Sequence, residues 1–199
     1  SYCLFNSSLI FWYSLIKSAS SAGLVTLATQ TVSSAVSTIT FDGYFTSDYN
    51  FYRLYITGWS GSAASKPAMQ FRASDTALTA SSYRTTGFVN NFDSSNGLLD
   101  ANKYGAWDAS LAKLTLGTNL EETDAQGGMG GTVDFYDPLN ASTKPTFLTH
   151  VQSEQDGGNV AILSVGGYYN VATAISGFTL EWQNHDCDAG TFTLSGVKK

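Results

Sequence analysis

The last third of the chain constrains its fold more than any other stretch. Residues 175–182 (ISGFTLEW) and 190–197 (GTFTLSGV) alternate apolar and polar side chains, with an Asn- and Asp-containing turn between them. Phe178 and Leu180 take one face while Thr179 and Glu181 take the other; Phe192 and Leu194 alternate with Thr191, Thr193 and Ser195. A period of two bounded by Gly, Asn and Asp marks half-buried antiparallel strands. A C-terminal run tied into a sheet this way belongs to a closed β-sandwich rather than to a frayed tail.

The rest of the chain carries the same signal. FYRLYIT (51–57) puts Tyr52, Leu54 and Ile56 on one face and Phe51, Arg53 and Tyr55 on the other, and AMQFRA (68–73) points Met69 and Phe71 inward. Further strands are expected at 36–41, 83–89, 104–116, 132–136, 147–152 and 160–165, about ten in all by their turn-bounded spacing. Residues 58–67 and 90–103 read as loops, and the Ser-, Ala- and Thr-rich residues 17–35 as a linker or edge strand. A helical period is sustained nowhere. Closing this many antiparallel strands around one core favours a jelly roll.

Composition narrows the function classes. Of 199 residues, 43% are hydrophobic and 14% aromatic, enough for a full core, while only 13% are charged. A surface short of charge suits a protein that keeps much of itself against other proteins. The net charge is −6 and the ten basic residues are scattered, with only Lys198 and Lys199 adjacent. Nucleic-acid binding needs clustered Lys and Arg, so none is expected.

Residues 2–16 (YCLFNSSLIFWYSLI) are strongly apolar but interrupted by Asn6, Ser7, Ser8 and Ser14. The run is shorter than the ~20 residues of a membrane span and lacks the basic start of a signal peptide. It reads as an arm whose Leu9, Ile10, Phe11, Trp12, Leu15 and Ile16 are buried on a partner or neighbouring subunit, since free in water they form an adhesive patch.

Groups able to do chemistry are sparse. The two cysteines, Cys3 and Cys187, have no spacing that suggests a disulfide framework or metal site. His185-Asp186-Cys187-Asp188 reads as a polar hairpin turn, because consecutive turn residues cannot all face one ion. Glu121, Glu122 and Asp124 lack an EF-hand pattern and read as a solvated acidic loop. The glycine run 127–131 precedes a strand instead of opening a helix, so it marks a flexible loop or a close approach of backbones, not a phosphate cradle. His150 has Ser153 nearby but no nucleophile elbow. No catalytic residue, metal or cofactor is expected. Loop aromatics such as Trp59 and Trp107 remain as candidates for stacking on sugars or filling a subunit interface.

The order of several segments resembles a group of small tailed-bacteriophage virion proteins. These segments are Leu15-Ile-Lys-Ser18, Ile39 to Phe45, Asp48 to Ile56, Met69 to Asp75 with Tyr83 after it, and the two closing strands. The resemblance covers about residues 15–199 and leaves out residues 1–14. It implies a jelly-roll-like module, a homotrimer, on the outside of a phage particle.

These readings predict an all-β chain: an antiparallel β-sandwich, jelly-roll-like, with an extended N-terminal arm. Residues 1–35 form the arm and linker and 36–199 the sandwich. The expected function is that of a non-enzymatic virion structural protein, assembled in the host cytoplasm, that decorates or cements the capsid or forms a short head fibre. Its expected partners are itself and phage capsid or tail proteins, with no membrane span. A tail-fibre or receptor-binding module for host surface glycan is the alternative.

Overall fold

The computed structural model describes residues 23–80, 82–92, 99–111, 113–116, 128–155 and 159–199. The expected arm at 1–16 and the acidic loop at 121–124 lie outside the described residues. All regular structure among those described is β. In chain order the strands are β1 (Leu24–Val32), β2 (Ile39–Phe41), β3 (Tyr49–Gly61), β4 (Pro67–Ala73), β5 (Thr76–Ala77), β6 (Tyr83–Phe92) and β7 (Leu99–Leu111). They continue as β8 (Leu114–Thr115), β9 (Met129–Tyr136), β10 (Thr146–Gln155), β11 (Asn159–Tyr169), β12 (Gly177–Trp182) and β13 (Cys187–Lys198).

The strands pair into an eight-stranded sheet, ordered β1-β13-β3-β9-β10-β11-β6-β7, and a smaller one, β2-β12-β4-β5, with β8 also on β4. The order is generated by nested antiparallel pairs. β1 lies on β13, β2 on β12, β3 on β9 and β4 on β8, so the first element meets the last and the pairing works inward along the chain. That wrap is the jelly roll. Two hairpins, β6–β7 and β10–β11, are inserted into it. They pair with each other through β11 and β6 and widen only the large sheet.

The core between the sheets is built from aromatic rings. Phe178 of β12 stacks on Phe135 of β9, with centroids 4.7 Å apart, and on Phe41 of β2 at 5.3 Å. Trp59 of β3 meets Trp182 of β12 edge-on at 5.6 Å and Phe192 of β13 at 5.4 Å. Such ring pairs add about 0.5–1.5 kcal/mol each beyond the area they bury. Tyr83 fastens the inserted hairpins to the small sheet: its hydroxyl accepts from the Phe71 N–H at 3.0 Å and donates to the Leu78 carbonyl at 2.6 Å.

The inward sets expected in β3, β4, β12 and β13 are buried: Tyr52, Leu54, Ile56, Met69, Phe71, Phe178, Leu180, Phe192 and Leu194. The edge-strand reading of residues 17–35 is realised by β1, so the large sheet begins upstream of Val36. Two expected loops are strand in part. Residues 90–103 were expected to be irregular, but β6 runs on to Phe92 and β7 begins at Leu99, pairing Asn90 with Ala101, Asn91 with Asp100 and Phe92 with Leu99. β6 has a strand on each side, so backbone hydrogen bonds hold it despite its polar side chains. Residues 58–61 continue β3 past a bulge at Gly58, whose φ is 62°. An extra residue there re-aims the strand and turns Trp59 into the core.

The glycine run is a close approach of backbones. A Cβ on Gly131, where φ is 148°, would lie 2.1 Å from the His150 carbonyl oxygen and 2.7 Å from the Val151 Cα. By contrast, Gly43, with φ 76°, has open space where a Cβ would go. Gly131→Ala is therefore expected to cost about 2 kcal/mol or more, since neither backbone can retreat. Gly43→Ala should cost only the smaller strain of a positive φ, about 1 kcal/mol. Urea unfolding of the two variants side by side measures the difference, and equal losses would contradict the close approach.

Candidate functional site: the open face of the large sheet

The small sheet covers one face of the large sheet and leaves the other uncovered by any described element. The register fixes which residues stand there. One row crosses all eight strands: Thr29, Thr193, Tyr55, Thr132, His150, Ser164, Phe88 and Lys103. At the β1 side the row is a threonine ladder, with the hydroxyls of Thr29 and Thr193 3.1 Å apart. Threonine pairs suit a solvated pleat.

At the middle of the face, Arg53 of β3 donates from Nε and Nη2 to the two carboxylate oxygens of Asp134 of β9, at 2.6 and 2.7 Å. Asp134 is nearly buried while Arg53 stays about one-third exposed. The bonds to Asp134 raise the Arg53 guanidinium above its ordinary value, so the cation is permanent. The Arg53 guanidinium also lies 5.6 Å from the Phe51 ring centre, and that ring is 5.4 Å from Tyr136. Burial, then the Asp134 charge, pushes the Tyr136 phenol up, so it stays neutral at physiological pH. A paired cation among rings is a rigid platform with no free base or nucleophile.

Toward the inserted hairpins exposed apolar side chains stand among the polar ones. Phe88 of β6 is 69% exposed, and Ile162 and Val160 of β11 are 61% and 49% exposed. The register sets Phe88 opposite Ser164, so Ile162 and Val160 follow on the same face, two and four residues along β11. Three apolar side chains this exposed on one face make it the candidate interaction surface.

Of the expected site residues, Trp59 alone has a described side chain. Trp59 is not a loop aromatic; it is fully buried, because the Gly58 bulge folds it against Trp182 and Phe192. Trp107 stands in β7 opposite Thr85, with its side chain outside the described residues. Leu9, Ile10, Phe11, Trp12, Leu15 and Ile16 lie outside them too. Tyr169 is buried against Tyr83, and Tyr168 is half-buried under the Lys144 ammonium. Tyr44 is exposed in the turn after β2.

The chemistry-bearing groups among the described residues do not converge. His150 is exposed on the open face, whereas Ser153, an odd number of residues along the same strand, is buried on the other. His185 to Asp188 turn the chain from β12 in one sheet to β13 in the other, so the segment is not a hairpin; Cys187 faces the core. Burial pushes the Cys187 thiol up. Such a thiol is inert. Among the described residues no three His, Cys, Asp or Glu side chains are grouped to hold a metal ion. Nor, among them, is any helix long and apolar enough to cross a membrane. No protein-family model matches the chain, and no curated protein matches it.

The densest polar cluster sits at the edge of the small sheet. Asp42 accepts from Arg72 Nε at 2.5 Å, from the Ser176 hydroxyl at 2.5 Å and from the Gly43 N–H at 2.9 Å. Arg72 also donates to Thr179 and to the Asp75 carbonyl. Both partners are used up internally, so the cluster is a clamp joining β2, β4 and the start of β12. Burial pushes the Asp42 carboxyl up, and these hydrogen bonds more than offset it, leaving its pKa below the ordinary 3.8. A depressed carboxylate stabilises the fold above its unfolded-state pKa and loses that contribution as pH falls through its folded value. Asp42→Asn should therefore lower the melting temperature at neutral pH and flatten its decline between about pH 5 and 2. A variant as acid-sensitive as the parent would remove Asp42 as a source.

Proposed function

We propose that this chain is a non-enzymatic structural protein of a bacteriophage virion, carried on the particle exterior as a capsid decoration or cement protein or a short head fibre. It acts by association, as a homotrimer, and by docking of its apolar N-terminal arm; it assembles in the host cytoplasm with capsid proteins as its partners. The observation that carries this reading is the open face of the large sheet, where Phe88, Ile162 and Val160 stand exposed. A jelly roll solves the edge problem of a β-protein by wrapping, and an uncovered flank with exposed apolar side chains is surface available for a second protein. The segment order that resembles phage virion proteins supports the choice of particle.

The alternative, a tail-fibre or receptor-binding module for host glycan, loses one of its two named residues, because Trp59 is buried. Tyr55 and Tyr136, exposed beside the Arg53–Asp134 pair, are the rings that would serve it instead. Cryo-EM of the particle separates the readings: a surface lattice of hundreds of copies fits decoration, and about 6 to 18 copies fit a tail position. For the purified protein, light scattering coupled to gel filtration should report a trimer. A monomer at all micromolar concentrations would defeat the reading.

A further inference from the structure

We propose that the patch formed by Phe88, Ile162 and Val160 seats the apolar N-terminal segment of a neighbouring copy of this chain, with Leu9 to Trp12 at its centre. The assignment rests on the reading of the chain as a self-associating protein, and it names the two surfaces that meet.

Three observations select this occupant. The first is length. Phe88 is level with Ser164 in β11, and Val160 lies four residues further on. At about 3.3 Å per residue that is about 13 Å. Leu9-Ile-Phe-Trp12 is four consecutive apolar residues, about 10 Å from first to last in extended form, so it covers most of that distance.

The second is chemistry. The patch offers an aromatic and two β-branched side chains, with Lys103 opposite Phe88 and Glu154 opposite Val160 in the register. An uncharged segment brings no like charge against either of these positions. Residues 2–16 contain no charged side chain.

The third is direction. β1 enters the sheet at Leu24, and that residue is aligned through Val197, Phe51, Tyr136 and Thr146 with Tyr168 of β11. Val160 lies toward the other end of β11. The chain preceding Leu24 thus leaves the sheet at the end away from its own patch, and at the opposite edge. β1 and β11 are separated by five strand spacings, about 24 Å. To reach its own patch the twelve spacings from Trp12 to Leu24 would have to run nearly fully extended across the sheet, and a neighbour's patch sets no such demand.

The test places the photoreactive benzoylphenylalanine at position 88 of the full chain, where high exposure makes the substitution harmless to the fold. Protein labelled with ¹⁵N is mixed with unlabelled protein, irradiated, and the cross-linked peptides are identified by mass spectrometry. The expected result is a cross-link to a peptide within residues 2–16 carrying mixed isotope labels. A cross-link within one chain, to a strand of a second copy, or to nothing would each overturn the proposal. In parallel, Phe88→Ser combined with Ile162→Ser should weaken association of copies about tenfold or more. Undiminished association of that variant would sink the assignment of the patch while leaving self-association standing. A parent protein that never associates would sink both.

Discussion

The pairing of the chain's two ends is the constraint on which everything else in this molecule depends. β1 has its only described ladder along β13, and β2 along β12, so neither element has a sequence-local partner. The jelly-roll wrap is therefore made almost entirely of contacts distant in sequence. Loop-closure entropy must be met before those contacts form, which makes such folds slow and exposes unpaired strand edges meanwhile. The aromatic stack through Phe41, Phe178 and Phe135 is what joins the two sheets once the ends have met. Phe178 contacts both, one on its own sheet and one across the core.

Polar interactions then specify how the layers are held. The Asp42–Arg72–Ser176 clamp ties three segments of the small sheet, and Arg53–Asp134 ties β3 to β9 on the large one. Each leaves a carboxylate with both oxygens occupied. A carboxylate left unpaired in such a place costs more than the pair gains, so these sites belong to the framework rather than to a reaction. The inserted hairpins use a different device, the Tyr83 hydroxyl, which reaches into the small sheet from the large one. They widen one layer without a matching addition to the other, and the uncovered flank with its apolar end is the result.

How far the sequence could be read depended on whether a feature is local. The alternation in 51–57 identified the inward set Tyr52, Leu54 and Ile56, and correctly placed Arg53 and Tyr55 on the opposite face. The apolar run at 160–165 carries a signal of its own: Val160 and Ile162 are apolar at the same parity, alongside Ala161 and Leu163 at the other. A strand greasy on both faces needs two coverings, and only one exists among the described residues. Trp59 was misplaced because Gly and Ser around it imitate a loop, while the Gly58 bulge keeps it in the strand.

The amino-acid sequence by itself determined strand character, the turn positions and the inward-facing side chains, because a two-residue period and the conformational limits of Gly, Asn and Asp act within a few residues. Tertiary structure alone decided that residues 90–92 and 99–103 pair as strands, that Trp59 is core, and that Phe88, Ile162 and Val160 share one exposed face. Those outcomes turn on which strands become neighbours and how many lie in the opposite sheet. Backbone hydrogen bonding and coverage across the sandwich set both, and neither quantity is written in any short window of residues.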